Sequence, residues 1–497
     1  MCSRNPDRSP SGRIALVSVG TVALLAVLLL ATSASAQTYR HTWTSTADFE
    51  GGTEVNVNAS TIQDQLQLNL NQIETPYLWV ANTDSSTVSR IETATGRVLS
   101  VTDLPSGSSP SRTAVDIDFN CWVGTRTTTG RAYKLSASDG GIIGQTPYVG
   151  RKTRGVAINA AGEIWISSSE NDGRGFGWMK VDQNNFQPLT AFQNNLGSYG
   201  LSIDPFGRIW TATAWLGGTS VQRVDSVRGF VEQRFRISGE GGNVYGITAD
   251  INGDAWGALW ATHKVVWVDG EYECPNNTED CTVTVGNGLN AVIDVRPVIN
   301  AAGGTGNYGG RGIARDANGF VWAVFNDLGT SGWTNAVSYA VKIDSTNGEP
   351  ILATRVGRAA VGITPDADGF IWVVNYAGDG TNRVNHPCPN GFNNTTGGSV
   401  TKLRSSDGSV VATYPTCGVR PYTYSDMAGY QLRSVTLRSG TWRAVHDSGR
   451  ANLEWGDINW RSQEFSDTTF RVRVRAAENL DDLARAPFAD IENGDDM

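Results

Sequence analysis

Arg154 to Ser168 reads RGVAINAAGEIWISS. Arg154 and Gly155 enter a short apolar strand, a turn follows with a small polar residue at Asn159 and a glycine at Gly162, and a second strand carries Trp165. The same pattern recurs along the chain. Six positions before successive tryptophans stand Asp116 (for Trp122), Asn159 (Trp165), Asp204 (Trp210), Asp250 (Trp256), Asp316 (Trp322) and Asp366 (Trp372). Three positions before most of them stand Gly162, Gly207, Gly253, Gly319 and Gly369, with Phe119 the exception. An Asp-x-x-Gly turn between two apolar runs has a mechanism: the side chain caps its own backbone turn, and glycine takes the positive φ that a tight hairpin needs. Six copies in register define a repeat.

The tryptophans Trp79, Trp122, Trp165, Trp210, Trp256, Trp322 and Trp372 recur mostly at about 43–50 residues, the period of a propeller blade of roughly four strands. A chain of 497 residues is too long for one ordinary core, and a ring of blades accounts for most of it. With 57 glycines, 16 tryptophans and no long helical periodicity, the composition agrees with an all-β protein.

Residues 1–36 read as a signal peptide. Arg4, Arg8 and Arg13 form a basic leader, Ile14 to Ala31 is apolar, and Ser33-Ala34-Ser35-Ala36 ends in a small-x-small site. The apolar run is nearly long enough for a retained anchor, but the Ala-Ser-Ala ending favours cleavage and no membrane span afterwards. The expected location is therefore secreted, periplasmic or at the cell surface. Cys2 leaves with the leader. In an oxidising compartment Cys274 and Cys281, which flank a short polar loop, are expected to pair, as are Cys388 and Cys417. Cys121, beside Trp122, reads as a buried thiol. The net charge of -9 and the lack of a basic run argue against nucleic acid.

Residues 37–75 are not blade-like. Phe49, Val55, Val57, Ile62, Leu66, Leu68 and Leu70 suggest two alternating strands split by a polar turn. Residues 76–429 hold the repeats, interrupted at 271–308 by an insertion rich in Asn and Gly that reads as a surface loop or an excursion of an outer strand. The first blade, from Tyr77, lacks the Asp-x-x-Gly strand ahead of Trp79. That strand appears late, in Gly418 to Asp426 with Gly429 three beyond. Its pairing with the Trp79 strand would close a seven-bladed ring and remove two exposed sheet edges. Residues 430–477, with apparent strands at Tyr430–Leu437, Trp442–Val445, Leu453–Trp460 and Phe470–Val474, are expected to join residues 37–75 in a small β-sandwich. Residues 478–497 read as a solvated acidic tail lacking a closing strand.

Inner strands of a propeller line its central channel, and the channel entrance is the usual binding face. Five residues before each repeat's Asp or Asn stand Ser111, Arg154, Tyr199, Tyr245, Arg311 and Val361, with Arg420 or Pro421 for the closing strand. Arg154, Tyr199, Tyr245, Arg311 and Arg420 form a candidate ligand ring, since arginine forks and tyrosine faces suit an anionic or sugar-like ligand. The alternative is that the arginines bind neighbouring blades. Loops after the tryptophan strands carry Asp84, Glu170, Asp172, Asp327 and Asp379, oxygen ligands that could hold calcium or magnesium, or that could serve only as turn residues. Of four histidines, His263 alone lies in a blade loop near that face and is the one candidate catalytic base. The repeat aspartates are assigned to structure.

The unit Gly-apolar-x-apolar-Asp-x-x-Gly-x-apolar-Trp resembles the blades of the streptogramin (virginiamycin B) lyase family and the wider NHL-like propellers, over about Tyr77 to Gly429. The resemblance implies seven blades. For the lyases proper it implies a magnesium-dependent elimination that opens a cyclic depsipeptide, with a histidine base, glutamates near the metal and blades that read Trp-Phe-Thr-Glu. Here the tetrads run from Trp79-Val80-Ala81-Asn82 to Trp372-Val373-Val374-Asn375 and none contains the glutamate. Thr42 to Leu70 and Gly440 to Val474 look similar to sandwich segments that flank secreted bacterial propellers.

The expectation is an exported bacterial propeller, monomeric and leaning non-enzymatic, whose channel face binds a small molecule, a glycan or a surface protein. A metal-dependent lyase of the virginiamycin B lyase type, or a hydrolase, is the alternative; a structural envelope protein is the third.

Overall fold

A computed structural model of the chain describes residues 14–20, 23–24, 40–55, 57–59, 62–68, 74–159, 162–170, 176–194, 198–212, 219–225, 231–237, 242–250, 252–272, 274, 280–283, 290–316, 318–329, 332–378, 380–392, 397–437, 440–450, 453, 455–462, 470–483, 486 and 488–494. They form two compact units, residues 73–435 and the two chain ends together.

The larger unit is a seven-bladed β-propeller. Blade two comprises Pro110–Val115, Cys121–Thr125, Ala132–Leu135 and Ile142–Gln145 in antiparallel order, and blades three, six and seven repeat this four-stranded arrangement. Blade one has only three named strands from its own stretch, Tyr77–Asn82, Thr87–Glu92 and Val98–Asp103. Its inner edge is supplied from the far end of the chain. The Tyr422 N–H donates to the Ala81 carbonyl at 2.9 Å, the Trp79 N–H donates to the Met427 carbonyl at 2.9 Å, and Asn82 forms an antiparallel bridge with Pro421. The expected closure is therefore present.

The repeat motif does two jobs in blades four to seven. In blade six Asp316 Oδ1 accepts the N–H groups of Asn318 and Phe320, which bends the turn, while Oδ2 accepts the Trp322 indole N–H at 2.9 Å. Asp204, Asp250 and Asp366 hold Trp210, Trp256 and Trp372 in the same way. Gly319 sits at φ +82 in that turn, and Phe119, the exception in sequence, accepts φ 66 at the equivalent place. In blade two the Asp116 carboxylate instead meets Lys134 Nζ at 3.2 Å.

Tryptophans of the repeat pack into cores shared with the next blade. Trp79 meets Val115, Cys121 and Val123 of blade two; Trp256 meets Ile313 and Val321 of blade six. Trp372 meets Leu78 and Ile91 of blade one, which closes the circle by packing as well as by hydrogen bonds. All seven tryptophans are fully buried. Each such indole removes about 150–250 Å² from water, roughly 4–6 kcal/mol of transfer free energy before entropy is counted.

The expected insertion is built into two blades. Asp280–Val283 adds a fifth strand, parallel to Val231–Ile237 of blade four, and Asn290–Asp294 is the outermost strand of blade five. Cys274–Cys281 and Cys388–Cys417 are disulfides and Cys121 is a buried thiol, as expected.

Tyr430–Leu437 is a helix rather than a strand. The half-buried Asp426 carboxylate accepts the N–H groups of Ala428, Gly429 and Tyr430, and this capture of successive amides winds the chain into a helical start. Arg433 then donates to the carbonyls of Asp116 and Ile117.

The second unit has a five-stranded sheet ordered Thr53–Val55, Thr441–Asp447, Ile14–Gly20, Arg471–Ala477 and Ala489–Ile491, with two two-stranded ribbons. Phe49, Val57, Leu66, Trp442, Val472 and Val474 form its core. Both chain ends contribute, as expected, but three details differ. Phe49 lies in a short helix, Thr46–Glu50, capped reciprocally by Ser45 and Asp48. The described residues of Leu453 to Trp460 form no extended strand. The acidic tail contributes Leu480–Leu483 as a helical turn and Ala489–Ile491 as an edge strand paired with Val472–Val474. Ile14–Gly20, within the expected leader, pairs along its whole length with Thr441–Asp447 and Arg471–Ala477. No described helix is long and apolar enough to cross a membrane.

Candidate functional site

The inner strands carry an irregularity at the same level in blade after blade. The ladder between the first two strands skips Arg154 (between Thr153 and Gly155), Tyr245 (between Val244 and Gly246), Arg311 and Gly312 (between Gly310 and Ile313), and Val361 (between Ala360 and Gly362). Such bulges re-aim the extra side chain. The glycine that follows has a reason too: a Cβ on Gly246 would overlap the Arg311 carbonyl, and one on Gly362 the Thr423 carbonyl, so the inner strands can close into a tight ring. Two blades break this rule. Blade two has Arg112 where the others have glycine, and the closing strand has Tyr422 there. Both large side chains are buried.

What the bulges bring together is a cluster of arginines and tyrosines. Arg154 Nη1 donates to Tyr199 Oη at 2.8 Å, and Tyr199 donates to Tyr245 Oη at 2.7 Å. Tyr245 in turn hydrogen-bonds Tyr422, and Tyr424 reaches Tyr245 at 3.3 Å. Guanidiniums cover the ring faces: Arg112 lies 4.2 Å from the Tyr424 centroid, Arg154 4.8 Å from Tyr199, and Arg311 5.0 Å from Tyr245 and 3.6 Å from Trp260.

The electrostatics are lopsided. Among the described residues no carboxylate pairs with Arg112, Arg154 or Arg311, and Arg112 Nε and Nη2, Arg154 Nε and Arg311 Nε are buried without an acceptor. Burial pushes Arg112 down, whereas the surrounding tyrosines hold Arg154 and Arg311 above the ordinary arginine range against the cost of burial. Burial drives Tyr199 and Tyr424 well up. Burial opposes ionisation of Tyr422 as well, but Arg311, Arg154 and the hydroxyls of Tyr245 and Tyr424 overcome it and lower the phenol to about 6. With no carboxylate among the described residues beside the three guanidiniums, the cluster is electropositive.

Loops between second and third strands open on the face above this cluster. Trp333, which is 37% exposed, stacks on Tyr376 at 4.1 Å and stands 5.3 Å from Arg311. Arg126 covers the Tyr422 ring at 4.6 Å, and Arg420 covers Tyr376 at 5.7 Å. At the other end the axis is crossed by Ser425 to Leu432, where Gln431 hydrogen-bonds Ser202 Oγ and two small cavities flank Asp426.

Of the five expected ring residues, Arg154, Tyr199, Tyr245 and Arg311 meet in the cluster. Arg420 does not; it lies at the rim, paired with Asp84 Oδ2 at 3.0 Å. Arg112, Tyr422 and Tyr424 went unnoticed in the sequence, as did the rim residues Arg126, Trp260, Trp333 and Tyr376. The large residue at the glycine position was the available signal for Arg112 and Tyr422.

Of the expected metal ligands, the three in the described residues each have a local partner. Asp84 pairs with Arg420, Glu170 pairs with Lys152, and Asp327 caps the Gly329 N–H at 2.9 Å. Asp172 and Asp379 lie outside the described residues. Among the described residues no three His, Cys, Asp or Glu side chains converge as metal ligands. His263 lies beside the outermost strand of blade five, 3.5 Å from Asp294 Oδ2, and its carbonyl accepts the Val295 N–H. Burial lowers its pKa. No contact joins it to the arginine–tyrosine cluster among the described residues.

No family model matches the chain, and no curated protein does. Solved structures similar to it include virginiamycin B lyase from Staphylococcus aureus, at 12% identity and TM-score 0.44 over 66% of this chain and 93% of that one. A streptogramin B lyase structure matches at 15% identity and TM-score 0.42, over 65% and 93%. Kuenenia stuttgartiensis hydrazine synthase matches at 13% and 0.47, over 70% and 97%. The propeller rests on the chain's own strand pairing, and no activity passes to it from these likenesses.

Proposed function

We propose that this chain is an exported propeller whose channel mouth captures an anionic ligand. The observation that carries the reading is the burial of Arg112 and Arg311, with the half-buried Arg154 beside them, and no carboxylate partner for any of the three among the described residues. A buried cation is costly unless something answers its charge, and the Tyr422 phenol, which Arg311 and Arg154 hold below its ordinary range, answers it only in part. An arriving anion completes the balance, and guanidinium forks match a carboxylate or phosphate. Trp260 and Trp333 beside Arg311 give the ligand flat apolar surface to cover. The two disulfides fit an oxidising compartment.

The reading is of a binding protein. His263, the expected base, keeps company with Asp294 and Val295 and makes no contact with the cluster among the described residues. The test is calorimetric titration with citrate and with inorganic phosphate, on the unaltered protein and on Arg311→Met. Saturable binding weakened at least about tenfold by Arg311→Met is the expected result. Equal affinity in both proteins, or no anion binding in either, would remove the proposal.

A further inference from the structure

Building on that anion site, we infer that its ligand is an acidic glycan, a chain of sugars bearing carboxylates, that lies across the mouth without entering the channel. Depth is the first argument. Tyr199, Tyr245, Tyr422 and Tyr424 are 4%, 1%, 8% and 0% exposed, and their hydroxyls interlock over the axis. A ligand therefore stays above the plug and lies across the mouth, which suits an extended chain better than a compact molecule that must be enclosed.

The second argument is the two-sided character of the mouth. Blades five, six and seven contribute Trp260, Trp333 and Tyr376, an aromatic crescent. Blades two and one contribute Arg126 and Arg420, both cationic, each seated on a tyrosine ring that holds it in place. Aromatic faces take the C–H faces of pyranose rings, and guanidinium forks take carboxylates that project from the ring edge. A sugar acid presents both groups on one residue, and a chain of them repeats the pair across the mouth.

Charge complementarity is the third argument. The protein carries a net charge of -9, so a basic mouth is a local exception that faces an anion against the background field. A polyphosphate would call for more cations than this mouth offers. Asp84 at the rim also occupies Arg420 in part, which favours widely spaced carboxylates over the dense charge of nucleic acid.

The experiment titrates the protein at low salt with trigalacturonate, maltotriose, citrate and a thymidine oligonucleotide, using Trp333→Ala, Arg126→Gln and Arg311→Met as variants. Trp333 and Arg126 stand at the rim outside the propeller core, and thermal melting checks that each variant is folded. The inference expects trigalacturonate to bind, maltotriose to bind at least about tenfold more weakly, and Trp333→Ala and Arg126→Gln each to weaken trigalacturonate about tenfold. Trigalacturonate affinity unchanged in Trp333→Ala, maltotriose binding as tightly, or the oligonucleotide binding more tightly would overturn it. If citrate binds and Arg311→Met abolishes that binding while trigalacturonate does not bind, the glycan is wrong and the anion site stands. If no anion binds, both fall.

Discussion

The backbone N–H of Ala81 donates to Thr423 Oγ1 at 2.6 Å, across 342 residues of sequence. This bond lies in the seam where the last inner strand completes the first blade, and it turns a linear array into a ring without free edges. Gly362 of blade seven borders the same seam, with the Thr423 carbonyl where its Cβ would be. Gly362→Ala should therefore destabilise the propeller by about 1–3 kcal/mol, because backbone rather than a flexible side chain must yield. Gly369→Ala, also in blade seven but with open space around it, would lose only the cost of its positive φ, about 1–2 kcal/mol. Urea unfolding of the two variants compares them.

The clamp between repeat aspartate and tryptophan makes a second expectation. Asp316 accepts three hydrogen bonds, and its removal strands a buried indole N–H and two turn amides. Asp316→Ala should cost about 2–4 kcal/mol, and Asp316→Asn distinctly less, since blade three already uses Asn159 at this place. Denaturant midpoints of the two variants decide it.

Tyr422 makes a third. Its folded value of about 6 lies below the ordinary 10.0, so the stability it contributes is complete above pH 10 and disappears as pH falls through about 6. A near-ultraviolet phenolate band should be present at neutral pH, titrate near 6 and be missing in Tyr422→Phe. The stability difference between the two proteins should shrink over the same interval as pH is lowered.

The disulfides should differ in weight. Cys388–Cys417 closes a span of 29 residues and Cys274–Cys281 one of 7. In the chain-entropy account the longer loop contributes about 3–4 kcal/mol and the shorter about 1 kcal/mol less. Paired serine substitutions at each bridge, compared by thermal melting, check the ranking.

Much of this architecture was legible because the repeat is physically constrained. An aspartate that must bend its own turn and also reach an indole six residues on leaves little freedom of spacing, so Trp210, Trp256, Trp322 and Trp372 mark their blades unambiguously. The same register placed Arg154, Tyr199, Tyr245 and Arg311 on the axis. It failed for Arg112, which stands one residue off the template, and for Tyr422 and Tyr424, whose strand has no tryptophan to count back from. Trp333 and Tyr376 sit in loops, where nothing periodic marks a residue as facing a neighbour. Tyr430–Leu437 was misread because its pattern of alternation says nothing of the Asp426 carboxylate that winds it. Asp84, Glu170 and Asp327 share a face by topology, but each is occupied locally, by Arg420, Lys152 and the Gly329 amide.

The central claim, that guanidiniums without a carboxylate partner among the described residues make the channel mouth an anion site, is tested most directly by an anomalous difference map from crystals soaked in sodium bromide. The account predicts a bromide peak in contact with Arg154 or Arg311, absent from crystals of Arg311→Met. Bromide bound elsewhere on the surface, with none at the mouth of the unaltered protein, would contradict it.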